Sequence, residues 1–175
     1  MSAHESKSAG DLRHEDAVPQ LADVNVPDEL KVWIEQRMAM YPEPKSATIP
    51  CLMQAQKLHG WLSPDAVRQV AAVMRVTPAY LVSVASFYDM FELTPRGRHT
   101  IYMCTNISCM LCGADKVVAA VEKHLGIKTG ESTPDGKFYL KREEECLAAC
   151  NNAPMMMVDH VYHENLTPES AIKVL

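Results

Sequence analysis

Apolar residues recur at helical spacing through the first half of the chain and at strand-like spacing through much of the second. Behind Pro27-Asp28-Glu29, a proline and two acids suited to a helix start, Leu30, Trp33, Ile34, Met38 and Tyr41 share one face. Pro42 and Pro44 end that helix. Ser46 is placed to cap a second one, in which Ile49, Leu52, Met53 and Gln56 share a face until Gly60 stops it. Ser63-Pro64-Asp65 starts a third, with Val67, Val70, Ala71 and Met74 inward. Thr77-Pro78 starts a fourth, with Leu81, Val84, Ala85 and Tyr88. The pattern predicts a small N-terminal four-helix bundle over residues 26–95. It holds no cluster of titratable groups and so reads as packing and docking surface. Residues 1–25 have few large apolar side chains and no period, which predicts a disordered N-terminal segment.

The period changes after the turn Pro95-Arg96-Gly97, which marks a domain boundary. His99 to Met103 is a strand that runs into Cys104. Ala114 to Leu125 is a helix with Val117, Val118, Val121 and Leu125 inward and Gly126 as its stop. Thr133-Pro134-Asp135-Gly136 is a turn, and Lys137 to Glu145 is a second strand that delivers Cys146. Met155 to Val158 and Val161 to His163 form a hairpin turning at Asp159-His160, and Thr167-Pro168-Glu169 opens a last helix. Strand, helix, strand, hairpin and helix is the element order of a thioredoxin-like domain, here residues 96–175. The fold class expected is therefore α+β, a helical bundle followed by a thioredoxin-like α/β domain with a four-stranded mixed sheet. By analogy with that fold, the Ala153–Pro154 bond is expected to be cis.

Composition narrows the chemistry. The 175 residues are 47% hydrophobic with a net charge of −5, which gives no nucleic-acid footprint. No apolar run reaches the roughly 20 residues of a membrane span. Met1 to Asn25 lacks the apolar region of a signal peptide, and its acids argue against a transit peptide, so the cytoplasm is the expected compartment. Six cysteines in such a chain point to metal binding or redox chemistry rather than a disulfide framework.

Five of the six fall between Cys104 and Cys150. Cys104 and Cys109 have four residues between them, Cys146 and Cys150 have three, and Cys112 follows Cys109 at Cys-x-x-Cys spacing. Four thiolates from two loops can hold zinc or an iron–sulfur cluster. A regular α+β domain has no evident need of a structural zinc. Cys109 and Cys112, between a strand and a helix, could serve a thiol-disulfide oxidoreductase, the helix N-terminus lowering a thiol pKa, but that leaves three cysteines unexplained. Cys104, Cys109 and Cys112 also match the spacing of a plant-type ferredoxin, without its glycines and arginine. Cys51 reads as a buried small hydrophobe, and Met155-Met156-Met157 as core filling.

The flanks favour the two-pair arrangement. Cys104-Thr-Asn-Ile-Ser-Cys-Met-Leu and Glu145-Cys-Leu-Ala-Ala-Cys-Asn-Asn-Ala-Pro resemble the thioredoxin-like [2Fe–2S] ferredoxin subunit of respiratory complex I, the E subunit or 24 kDa type of NADH:quinone oxidoreductase (NADH dehydrogenase). The resemblance extends through Ser46-Ala-Thr-Ile-Pro50, Gly60-Trp-Leu and Ala85-Ser-Phe-Tyr-Asp-Met-Phe91, covering most of Pro27 to Thr167. It implies a [2Fe–2S] cluster on Cys104, Cys109, Cys146 and Cys150, with no catalytic residue in the chain itself. It further implies single-electron exchange with the FMN of a partner subunit that binds FMN and NADH, other complex I subunits as neighbours, and a location peripheral to the inner membrane. Related subunits serve NAD-linked hydrogenases and formate dehydrogenases. The chain departs from the family in carrying Cys112 where arginine is frequent and Ala148 where glycine is usual, and in stopping soon after the last helix begins.

Overall fold

The structure, a computed structural model, describes residues 8–143 and 146–175, without the side chains of Arg142 and Glu143. Expectations for residues 1–7, and for the end of the second strand at Glu144 and Glu145, lie outside the described residues. Two compact units divide the chain, Met1–Pro95 and Arg96–Leu175.

The first unit contains α1 (Asp28–Met38), α2 (Thr48–His59), α3 (Pro64–Met74) and α4 (Pro78–Phe87). Two start signals act as the sequence implies. Ser63 accepts a hydrogen bond from the Ala66 amide and Thr77 from the Tyr80 amide, each with proline at the first helical position. Leu30, Ile34, Leu52, Val67, Val70 and Leu81 are buried in one shared core. The helix axes of α3 and α4 turn by 116°, far from the near-antiparallel packing of an up-and-down bundle.

Several details differ from the sequence reading. Ser46 does not cap α2; it lies in a 3-10 turn, Pro44–Ala47, and Thr48 opens the helix with its hydroxyl donating to the Lys45 carbonyl at 2.6 Å. Met53 is half-exposed, and Tyr88 falls past the end of α4 in extended backbone. Part of the N-terminal segment packs against the helical unit. A 3-10 helix, Ala9–His14, buries Ala9 and Leu12, and Glu15 pairs with both Nε and Nη2 of Arg68 at 3.1 and 2.8 Å. Two small contacts and a bidentate ion pair hold this stretch, and none of them leaves a periodic signal.

The second unit contains β1 (His99–Cys104), α5 (Ile107–Leu111), α6 (Ala114–Leu125), β2 (Phe138–Glu143), β3 (Met156–Val158), β4 (Val161–His163) and α7 (Pro168–Val174). The sheet order is β2-β1-β3-β4, with β1 parallel to β2 and antiparallel to β3, and β3 antiparallel to β4. This is the four-stranded mixed sheet of a thioredoxin-like domain. Ile101, Met103, Leu140 and Met156 meet Val117, Val121 and Ala171 in its core. At Gly97 a Cβ would run into the Phe138 backbone, so only glycine lets β1 begin so close to β2. The Ala153–Pro154 bond is cis, as expected.

The parallel register pairs His99 with Phe138 and Cys104 with Glu143. Both strands therefore end at one edge of the sheet, and the loops bearing the two cysteine pairs leave from that edge. The opposite end of α6 is closed by Glu122. It accepts from the Thr129 amide at 2.9 Å, the Thr129 hydroxyl at 2.7 Å and Lys128 Nζ at 2.9 Å. The Lys128 and Thr129 hydrogen bonds hold the Glu122 carboxyl down to about 2. A carboxylate stabilised in this way supports the fold above its unfolded pKa, near 4.5, and loses that support as the pH falls toward 2. Glu122→Gln should cost about 1–2 kcal/mol at neutral pH, because Lys128 is solvent-exposed and its share is screened. Denaturant unfolding at pH 7 and pH 3 checks this, since the difference between parent and variant should shrink at the lower pH.

Candidate metal centre

Cys104 is the last residue of β1 and is buried, its amide donating to the Met155 carbonyl at 3.3 Å. Asn106 then accepts from the Ile107 amide at 2.8 Å and caps α5, a one-turn helix that the sequence reading missed. This turn folds Cys109 back beside Cys104, and both thiols sit with Ala114 and Met155 in a small apolar cluster separate from the main core. Leu147, Ala149 and Ala153 pack against that cluster from the second cysteine loop and the strand approach. Cys146 and Cys150 are exposed, with their Sγ atoms 3.1 Å apart.

Cys146 lies near enough to Cys109 for the charges of the two thiols to oppose one another. Burial pushes the Cys109 thiol up to about 11, aided by its hydrogen bond with Cys104 and by the like charges of Cys104 and Cys146, while the Met155 amide pulls it down. Burial thus opposes ionisation of Cys109, and a bound metal centre would supply the positive charge that favours its thiolate, with release of a proton. Among the described residues no three His, Cys, Asp or Glu side chains gather around a single ion position. Two thiol pairs on separate loops supply the four cysteine ligands that a [2Fe–2S] cluster takes. The donor set and its apolar collar thus fit a [2Fe–2S] cluster.

Backbone amides already point at sulfur. The Met155 amide faces Cys109, and the Ala148 amide donates to Cys146 Sγ at 3.3 Å. The second contact requires Ala148 to take φ +64°, the left-handed region, which explains why glycine suits this position. Alanine holds it at a cost of about 1 kcal/mol. Met155 read only as core filling in the sequence, and Tyr162, whose hydroxyl donates to the Leu147 carbonyl at 2.9 Å, did not stand out. Their contacts come from the sheet, not from spacing.

The dithiol arrangement fails on the same geometry. Cys112 caps the C-terminal end of α5 and is exposed, and the Cys109 thiol is raised by burial rather than lowered as a reactive dithiol needs. Cys51 lies in the helical unit, fully buried, and burial lifts it to about 12, as befits a small hydrophobe. Met155 and Met156 are buried, in keeping with a core role for the methionine run.

The chain belongs to the thioredoxin-like [2Fe–2S] ferredoxin family, which it matches over residues 34–175. Among its relatives is the E 2 subunit of the NADH-quinone oxidoreductase of Rhizobium meliloti, 44% identical over 133 residues, which are 76% of this chain and 79% of the relative. The corresponding E subunit of Escherichia coli (strain K12) is 35% identical over 162 residues, 93% of this chain and 97% of the relative. The mitochondrial NADH dehydrogenase [ubiquinone] flavoprotein 2 of Dictyostelium discoideum is 43% identical, over 82% of this chain and 59% of that protein. In solved structures, the fold resembles part of an air-oxidised NAD+-reducing [NiFe]-hydrogenase, with TM-score 0.65 and 19% identity, covering 73% of this chain and 22% of the other.

The strained residue yields a direct test. Ala148→Gly should leave thermal stability unchanged or slightly raised, relief of the left-handed strain being offset by unfolded-chain entropy. Ala148→Val should lower stability by about 1 kcal/mol or more, because a β-branched residue tolerates positive φ least. Calorimetry on the three proteins separates these outcomes.

Proposed function

We propose that this chain is the electron-transfer subunit of an NADH:quinone oxidoreductase and holds one [2Fe–2S] cluster through Cys104, Cys109, Cys146 and Cys150. The observation that carries this reading is two thiol pairs on two loops that leave the same end of the sheet, Cys109 hydrogen-bonded to Cys104 and Cys146 3.1 Å from Cys150. Identities of 44% and 35% to relatives named as E subunits support the quinone oxidoreductase reading.

When bound, the cluster supplies one-electron redox chemistry at a fixed position near the surface. The chain's residues set that position. Cys104 and Cys109 anchor the buried side, while Cys146 and Cys150 form the exposed side through which a partner comes within electron-transfer distance. The Met155 and Ala148 amides favour the more negative, reduced form by donating to sulfur. The apolar collar keeps water from the buried pair.

The partner in this reading is the flavin subunit, which binds NADH and FMN and splits a hydride's two electrons into single transfers. Ile107, Met110 and Leu111 on α5 are all exposed next to Cys109, an apolar rim suited to a protein face. Other subunits of the assembly hold the chain at the periphery of the inner membrane, on the cytoplasmic side; among the described residues no helix is long and apolar enough to cross it. Residues 96–175 act as the ferredoxin domain. Residues 26–95, with helices α1–α4 as a bundle, act as a docking domain whose groove of about 430 Å³ is lined by Ile49, Tyr80, Val84, Phe87 and Tyr88.

Two tests follow. Serine at Cys104, Cys109, Cys146 or Cys150 should reduce cluster occupancy about tenfold or more, whereas Cys112→Ser should keep two irons and two acid-labile sulfides per chain. Iron and sulfide analysis with EPR reads both, and loss of the cluster in Cys112→Ser alone would overturn the ligand assignment. For the docking domain, Phe87→Asp places a charge on a ring that is 80% exposed. It should weaken copurification with the flavin subunit about tenfold while leaving the cluster spectrum unchanged.

A further inference from the structure

The second cysteine loop contains one peptide unit held at both ends. The Leu147 carbonyl accepts from the Tyr162 hydroxyl at 2.9 Å, and the Ala148 amide of the same unit donates to Cys146 Sγ at 3.3 Å. In a trans peptide these two groups point in opposite directions, so pinning the carbonyl aims the amide at the sulfur. Ala148 sits at φ +64° in this orientation. Turning the peptide over would carry Ala148 to negative φ, which alanine prefers, and would present a carbonyl oxygen to the sulfur in place of the N–H. The local chain therefore leans toward the wrong orientation, and nothing within residues 146–149 is in regular secondary structure to resist it.

Tyr162 comes from β4, which is paired to β3 and so to the rest of the sheet. The segment just beyond it braces the same loop. The Asn165 amide donates to the Asn152 carbonyl at 2.8 Å, and Asn152 Nδ2 donates to Glu164 at 2.9 Å. We infer that Tyr162 is a positioning residue for the metal centre: its hydroxyl holds the Leu147–Ala148 peptide so that an N–H faces the Cys146 sulfur, and it offsets the presence of alanine at a left-handed position. The inference rests on the [2Fe–2S] reading and on Cys146 as a ligand. It makes the two residues interdependent. With glycine at 148 the left-handed conformation carries no penalty, and the hydroxyl has less to do.

The test is a double-mutant cycle on the full-length, cluster-bearing chain, using Tyr162→Phe, Ala148→Gly and the two together. Three quantities are read: the midpoint potential by EPR-monitored titration, iron release to a chelator, and the unfolding midpoint of the apoprotein. Tyr162→Phe alone should lower the potential and speed iron release about fivefold, the worth of one net hydrogen bond. The same change in the glycine background should have less than about a twofold effect on release. The apoprotein midpoint should not move. An unchanged potential and release rate in Tyr162→Phe overturns the inference. So does an equal effect in both backgrounds, or a fall in apoprotein stability with no change in potential. A parent chain that purifies without acid-labile sulfide overturns the cluster reading itself, an outcome seen before any variant is made.

Discussion

The parallel pairing of β1 and β2 is the constraint on which the metal centre depends. Cys104 ends one strand, and the other reaches Glu143, three residues short of Cys146. Parallel strands end at the same edge, so loops that are far apart in sequence leave the sheet side by side. An antiparallel pairing would send the second loop to the opposite edge. The crossover through α5 and α6 is what makes the pairing parallel, and placing a ligand outside the carboxyl ends of such strands is a general habit of α/β folds. Gly97 belongs to the same constraint, since it lets β1 start in contact with Phe138.

Bringing thiols together in this way is costly, and the fold around them reflects that. Burial and mutual repulsion both oppose ionisation of Cys109. Against this the chain sets amide donors, one from the strand approach at Met155 and one from the loop at Ala148. It leaves the second pair at the surface, where solvent shares the charge. A site buried on both sides would desolvate all four sulfurs, and one exposed on both sides would give up the apolar collar. A half-buried site allows a partner to approach while water is kept from one face.

Much of this was legible in the sequence. Helix starts at Ser63, Thr77 and Thr167 could be read because capping is local: a hydroxyl and a proline within a few residues act on the turn they belong to. The cysteine pairs could be read because the spacing of Cys104 from Cys109 and of Cys146 from Cys150 is likewise local. Some of the features that escaped depend on contacts distant along the chain. The packing of Ala9 to Glu15 depends on Leu93 and Arg68. The short helix α5 is too brief to show a period. Ser46 failed as a cap because the chain first closes a 3-10 turn behind Pro44, and α2 follows from Ala47 with no side-chain cap.

Ala148 shows how a departure from a family pattern can be read physically. Glycine at such a position is a backbone requirement, namely an amide that must face a sulfur at positive φ. Substituting alanine leaves the requirement in place and removes the residue that meets it freely. The requirement must then be met from outside the loop, and a hydroxyl on a paired strand can do so because the sheet fixes its position. Cys112 is a departure of another kind. It stands exposed at the C-terminal cap of α5, outside both thiol pairs, where a cationic side chain would add charge near the site without any change of backbone. The first departure therefore bears on the geometry of the centre, and the second bears on its electrostatics.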